Sequence, residues 1–462
     1  MPPRNRLKAH SPRKSRLRLG PTFLLFLLLV IISAGALGAL ILFESEKPLA
    51  ELQKELHYIG KNSSIPIRVS DQKNGIRSIT VSIVQNGQAK ELYTKEFQRT
   101  TWFYGAGPSE ADAVIEFDSK KANMKDGKAD IVVNVRDFSL NGMFAGNLTE
   151  TRFPIIIDTK LPKISIEHTQ RYILPGGSGI VVYGLHEPVT NHGVEVNDHF
   201  FKGYPLANRD DLYISYIGLK WDTEKINNSK VTATDMAGNE GKAVFSMILK
   251  KVKYKKDRIN VGDGFLNAKI PEFEEHYPEM QGSMLDKYVF TNNEVRKRNA
   301  KSIKEICTTP SPDQLWLDHF LRMPGASKAG YADYRTYYYQ AKPIDNQVHL
   351  GMDIASTANV DIKAANRGKV VYAEYLGIYG NTVILDHGQG LFSLYSHLSR
   401  IDTNLDEIVD QGAVIARSGA TGMAGGDHLH FSMLIDGIFV TPVEWWDQHW
   451  IDVNIKDMLN QL

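Results

Sequence analysis

Disulfide chemistry is the first thing this sequence rules out. Its 462 residues hold one cysteine, Cys307, so no intrachain bridge can form, and with no Cys-His motif beside it the thiol reads as a packing residue. A surplus of either charge is also lacking: the formal net charge is +1, which implies no strong electrostatic partner. No His-Glu-x-x-His occurs, so the glutamate which that motif supplies as a base beside zinc is missing.

What is present begins with charge asymmetry at the N-terminus. Residues 1–19 carry Arg4, Arg6, Lys8, Arg13, Lys14, Arg16 and Arg18 with no acid, and Thr22 to Phe43 is apolar and uncharged. At about 1.5 Å per residue such a helix crosses a hydrocarbon core of roughly 30 Å. A basic tail over 1–21 and a transmembrane helix over 22–43 are expected, with the N-terminus cytoplasmic and everything after Glu44 outside. Ser33-Ala34-Gly35-Ala36 offers the small residues of a cleaved signal peptide, but apolar chain continues beyond them, so an uncleaved anchor is the expectation. The basic residues read as a topology signal and not a nucleic-acid site, because no aromatics interleave with them.

A chain this long exceeds one typical core, and its rhythm predicts several extracytoplasmic domains. Ser78–Val84 alternates before Asn86-Gly87, a strand and hairpin-turn signal. Ile131–Asp137, Gly146-Asn147 and Phe153–Asp158 form a pattern that Val231–Asp235, Ala237-Gly238-Asn239 and Ala243–Leu249 repeat. These two stretches, 44–160 and 161–250, resemble bacterial immunoglobulin-like β-sandwiches and read as a spacer. The Asp…Gly-Asn turns suit backbone closure better than calcium, since no dense acidic cluster accompanies them. Residues 251–320 change character, with helical spacing from Ser283 to Ile306 and a further helix expected from Asp313 to Phe320. By position, this segment could pack beside a cleft and control access to it.

The chemistry lies further on. His349-Leu350-Gly351-Met352-Asp353 is answered by His428-Leu429-His430, with Tyr395-Ser396-His397-Leu398 between them. Two imidazoles and a carboxylate from distant stretches leave zinc an open position, as in a catalytic site. His428 and His430, two apart on a strand, address one cavity, so one can bind metal while the other faces substrate. His349 and Asp353 would lie roughly 13 Å apart on a straight strand. A bend is required, and Gly351 permits it. An imidazole, with an ordinary pKa of about 6.5, can replace the missing glutamate as a base near neutral pH.

With Gly377–Gly388 and Ser418-Gly419-Ala420-Thr421-Gly422, the stretch 320–447 closely resembles the lysostaphin/LytM-type zinc metallopeptidases. The resemblance implies a β-rich peptidase domain over 321–450, followed by a tail at 451–462. It implies one Zn2+ held by His349, Asp353 and His430, with His397 and His428 as catalytic non-ligand imidazoles and Asn381 near the substrate. With water and the scissile carbonyl polarised by zinc, either His428 or His397 would accept the proton and the other would stabilise the oxyanion. Members often carry a Gly-Pro-like pair before His-Leu-His and an acid after the next Phe, where this chain has Gly425-Gly426-Asp427 and Ser432. His387 is expected to end a strand and His449 to lie at the surface.

The fold class expected is therefore mainly β and multidomain: a transmembrane helix, two sandwiches, a short helical segment and the peptidase. The expected function is a bacterial inner-membrane, single-pass zinc endopeptidase that cuts peptidoglycan cross-links outside the cytoplasm. Peptidoglycan and the membrane would be its partners, with room for other cell-envelope proteins and no nucleic acid. A non-hydrolytic scaffold or activator of other wall hydrolases is the alternative.

Overall fold

The computed structural model describes residues 20–101, 105–207 and 209–462. Residues 1–19 of the expected basic tail lie outside the described residues. The chain divides into two compact units, Met1–Lys160 and Leu161–Leu462. It is mainly β, with one N-terminal apolar helix and a β-rich C-terminal region.

In the first unit, Pro21–Leu42 forms one unbroken helix of 22 residues, opened by a proline whose missing N–H costs nothing there. Its apolar side chains stand exposed on all sides, and it is long and apolar enough to cross a membrane. The helix end is fastened directly to the β structure beyond it. Leu42 O accepts from Leu140 N at 2.7 Å, and Glu44 O accepts from Ser139 Oγ at 2.8 Å and Asn147 Nδ2 at 3.0 Å.

The β part has a three-stranded sheet (Leu49–Leu52, Asn62–Ser70, Glu110–Asp118) and a five-stranded one (Tyr58–Ile59, Leu148–Ile157, Gly127–Asp137, Ile76–Gln85, Gln88–Glu96). Alternation along the strands sends Ile65, Ile67, Ile79, Val81, Ile131 and Val133 into one core. Asn86 and Gly87 close the hairpin with φ of 51° and 78°, the left-handed pair that a two-residue turn requires.

The second unit joins 161–250 to the C-terminal β-rich region through a continuous core. Two four-stranded sheets, one centred on Ser178–Leu185 and Arg209–Gly218, the other on Val189–Val196 and Ser229–Asp235, enclose Tyr183, Val194 and Ile214. The same cluster continues through Trp316, Phe320 and Trp445 into an eight-stranded sheet. Across that sheet run Met352–Ala355, Leu429–Ile435, Leu391–Leu398, Asn381–Asp386 and Gly368–Tyr375. Both faces of the two central strands are buried. Tyr395, Phe431 and Met433 point into the large core, whereas Phe392, Leu394 and Leu434 point the opposite way.

That opposite face is covered by residues 256–307. Lys256–Asn260 adds a parallel strand to Asp333–Tyr339, which pairs in turn with Lys342–His349. Helices follow at Asp263–His276, Met284–Phe290 and Arg296–Ile306, the last two joined by a π-helical turn over Thr291–Val295. Ser283 and Asp286 form a capping box at the second helix. Cys307 is buried in the apolar cluster beneath, and burial pushes its thiol up.

The helix expected over 313–320 does not form. Leu315 N donates to His387 O, and Asn366 exchanges bonds with Leu317 N and O, so the backbone is held in an irregular course that buries Trp316 and Phe320. Tertiary partners override the local cap there.

Glu444 shows how the two parts of this unit are joined. It accepts from Ser178 N at 2.7 Å, while Trp445 Nε1 donates to Ser178 Oγ at 2.9 Å. Burial, opposed by the bonds from Ser178, pushes the Glu444 carboxyl from 4.5 up to about 7. Because the folded-state value lies above the unfolded one, the folded chain holds more protons between these limits, and stability falls as pH rises through that window. Glu444→Gln is expected to raise the melting temperature at pH 8, by a stability gain on the order of 1–3 kcal/mol, and to leave it nearly unchanged at pH 5. An identical shift at both pH values would refute the assignment.

Candidate metal centre

Strand pairing brings the first two donors together. Asp353 lies directly opposite His430 on adjacent antiparallel strands, and His349 ends the strand just before the bend. His349 Nε2 lies 2.9 Å from both Asp353 Oδ1 and His430 Nδ1, and those two are 3.0 Å apart. Three ligands about 2.0–2.1 Å from one ion lie roughly 3.3 Å from each other in tetrahedral geometry, so this triangle closes around zinc with small adjustments. All three residues are buried.

Hydrogen bonds to the remaining ring nitrogens fix both tautomers. His349 Nδ1 donates to Gly330 O at 2.8 Å, leaving Nε2 as the ligand atom. His430 Nε2 donates to Ser432 Oγ at 3.1 Å, leaving Nδ1. Ser432 in turn donates to Leu350 O at 2.9 Å, which ties the ligand strand to the bend. The second oxygen of Asp353 is taken by Arg335, whose Nη2 donates to Oδ2 at 3.0 Å. Burial opposes the Asp353 charge, but His349 foremost, with bonds from His428 and His430, holds the carboxyl well below the usual carboxylate range. The site is an electron-rich donor set of the kind that binds a divalent ion.

The two other imidazoles stand beside it. Their ring centroids are 4.9 Å apart, and the His397 ring lies 5.8 Å from that of His430. His397 Nδ1 donates to Thr421 O and His428 Nδ1 to Gly426 O, each at 2.8 Å, and His428 Nε2 lies 3.6 Å from Asp353 Oδ1. Burial, reinforced by His428 and His430, pushes His397 well below 6.5; for His428, burial is outweighed by its bond with Asp353 and the pKa rises. The His430 ring, mainly through burial, falls to about 4.

His397 reaches the cavity through an irregularity. Simple alternation would send it to the side of Tyr395, away from His430. The pairing with Asn381–Asp386 shifts register here and His397 takes a left-handed φ of 62°, and its ring lies on the ligand side.

Gly351 also acts differently from the sequence expectation. It is not among the positive-φ glycines, so the bend needs no special backbone. A Cβ there would lie 2.5 Å from His430 Nε2 and 2.6 Å from Ser432 Oγ. Gly351→Ala is therefore expected to weaken zinc binding at least tenfold while the fold persists, because His430 must move by a few tenths of an ångström or more. An unaltered zinc titration with a competing chelator would refute this.

Asn381 is half-buried. Its backbone N–H donates to Thr421 Oγ1 and its side chain to Leu398 O, at 3.0 and 3.1 Å, behind His397. His387 is fully buried between Arg367 O and Ser393 Oγ, directly after a strand, and burial lowers its pKa to about 4. His449 is exposed. Arg335 carries no motif, and nothing local in Asp333-Tyr334-Arg335-Thr336 announces its bond to Asp353.

The five residues line a cavity of about 290 Å³. Its other lining includes Ile259, Val261, Phe265, Tyr288 and Arg296, all from the 256–307 segment. That segment is tied to both sides of the cleft. Gly422 N donates to Glu272 Oε1, Lys269 bonds Ala420 O, and Ile378 N donates to Asn299 Oδ1 at 3.0 Å. On the hairpin side, Tyr339 donates to Asp263 at 2.8 Å and Asn292 to Asp345 at 2.6 Å.

A β-sheet centre where three candidate ligands converge beside two further imidazoles is a metallopeptidase-like site. Residues 347–442 match peptidase family M23. The C-terminal part of this chain thus carries an M23-type peptidase domain over residues 347–442. The DD-carboxypeptidase/endopeptidase Mpg of Neisseria meningitidis is 35% identical over 107 residues, 23% of this chain and 25% of that protein. The murein hydrolase activator EnvC of Escherichia coli is 33% identical over 95 residues, 21% of this chain and 23% of EnvC. Among solved structures, the catalytic domain of lysostaphin from Staphylococcus simulans aligns at 26% identity and a TM-score of 0.23, covering 26% of this chain and 92% of that one. The match spans about a quarter of the length of the first two relatives.

Proposed function

We propose that this chain is a membrane-anchored zinc endopeptidase that hydrolyses peptide cross-links of peptidoglycan. The observation that carries the reading is the closure of His349, Asp353 and His430 on one point, with the rings of His397 and His428 lining the same cavity. A relative named as a peptidoglycan DD-endopeptidase, 34% identical over 102 residues, supports the substrate class.

Zinc held by the three ligands would supply Lewis acidity to a water and to the scissile carbonyl. His397, kept neutral by burial, holds a basic Nε2 and accepts a proton from water. His428, whose Nε2 is biased towards protonation by Asp353, donates to the developing oxyanion and then to the leaving amine. Asn381 serves substrate binding only indirectly, by fixing Leu398 next to His397. The apolar helix anchors the chain with its basic tail in the cytoplasm, and residues 44–160 act as a spacer outside.

EnvC, an activator by name, illustrates the second reading, a non-hydrolytic scaffold that can engage other envelope proteins. Here the complete set of five residues favours turnover. The test is to incubate the detergent-solubilised full chain, with zinc or with a chelator, with purified peptidoglycan and to identify the released ends by mass spectrometry. Chelator-sensitive new amine and carboxyl ends are expected. A folded, zinc-loaded sample that releases none would favour the scaffold.

A further inference from the structure

The cavity beside the metal centre is cationic for reasons unrelated to the ligands. Arg296 and Arg335 both line it, and Asp353 is the only carboxylate that does so among the described residues. Arg335 already answers Asp353, yet its Nε is buried with no hydrogen-bond partner. Arg296 has no carboxylate partner among the described residues. Its Nε and Nη2 donate to Asn292 O at 3.1 Å and Asn292 Oδ1 at 2.6 Å, which leaves Nη1 uncommitted.

This guanidinium is also held in position. Asn292 is buried and clamped by Asp345 at 2.6 Å, and Arg296 directly follows the π-helical turn over Thr291–Val295, a helical irregularity common at functional sites. Tyr379, another residue of the cavity, lies with its ring 5.5 Å from that of His430. A pre-oriented guanidinium with a free donor, in a small cavity of net positive charge, favours a carboxylate above other groups.

Resting on the endopeptidase reading, the geometry points to a specificity role for Arg296: it receives a free carboxylate on the substrate residue flanking the scissile bond, with Arg335 adding charge of the same sign. The 256–307 segment then completes the substrate site and is not simply a plug over it. The substrate class is a peptide acidic at that residue.

The test uses the zinc-loaded full chain and two cross-linked muropeptides that differ only in whether that carboxylate is free or converted to the primary amide. The free acid is expected to be cleaved with a kcat/KM roughly ten to a hundred times higher, mostly through KM. Arg296→Gln is expected to erase the preference, and Arg296→Lys to restore part of it. Equal cleavage of the two peptides by the natural chain would overturn the proposal, as would an equal loss on both in Arg296→Gln, the mark of a merely structural role. Calorimetric binding of both peptides separates this from the parent reading. If neither is cut but the acid binds more tightly and Arg296→Gln removes the difference, the carboxylate site stands and the endopeptidase falls; equal binding overturns the site itself.

Discussion

Alanine at His349, Asp353 or His430 is expected to release zinc and to lower peptide hydrolysis by roughly a thousandfold or more, since the Lewis acid contributes several kcal/mol to the transition state. The three variants should nonetheless differ in the metal-free chain. Asp353→Ala leaves Arg335 buried without its anion, which costs up to about 3 kcal/mol of folding stability. His349→Ala removes the imidazole that foremost holds the Asp353 carboxyl low but leaves the Arg335–Asp353 pair intact, so its metal-free form should lose less stability than that of Asp353→Ala. Zinc content after dialysis, measured with the melting temperature, checks both parts. A zinc-replete His349→Ala, or an Asp353→Ala that melts with the natural metal-free chain, would contradict the derived roles.

The second large effect concerns His397 and His428. Each changed to alanine is expected to lower kcat by about 10²–10⁴ with zinc retained, the range for a positioned acid or base. Because the two rings face one cavity and serve successive proton transfers, the double variant should be little slower than the slower single one. His397→Ala should also relieve the left-handed φ of 62° only in part, since alanine tolerates it poorly. Multiplying losses in the double variant, or a single variant with more than a third of natural kcat, would show that the rings do not act as a unit.

Much of this centre was legible in the sequence, for definite reasons. His428 and His430 share a face because strand periodicity is two, and the split of ligands over two stretches follows from neighbouring strands that are far apart in sequence. Local turn chemistry was equally readable at Asn86-Gly87, where the residue types require the observed φ values. The parts that were not legible depend on tertiary partners. Asp313 to Phe320 has a helical cap and pattern, but Asn366 and His387 claim its backbone. His397 sits on a bulge that alternation does not encode. Gly351 drew notice for its flexibility, although what the site uses is its missing Cβ. Ser432 looked like a departure from the family pattern, and its hydroxyl turns out to fix the tautomer of His430. Arg296 belongs to a segment whose distance along the chain from the ligands hides it until the cleft is assembled, while Arg335, on the hairpin partner of the strand ending at His349, carries no motif.

The junction at Leu42 and Glu44 bears on how the anchor behaves. A flexible linker would act as a leash, letting the first β unit swing freely above the bilayer. Bonds from Ser139, Leu140 and Asn147 to the last carbonyls of the anchor make it a lever instead. A helix of roughly 33 Å tilts by an amount that depends on bilayer thickness, and a welded joint passes that tilt to the rigid body it carries. With this helix in a bilayer, a change of lipid thickness would therefore change how far the first β unit leans.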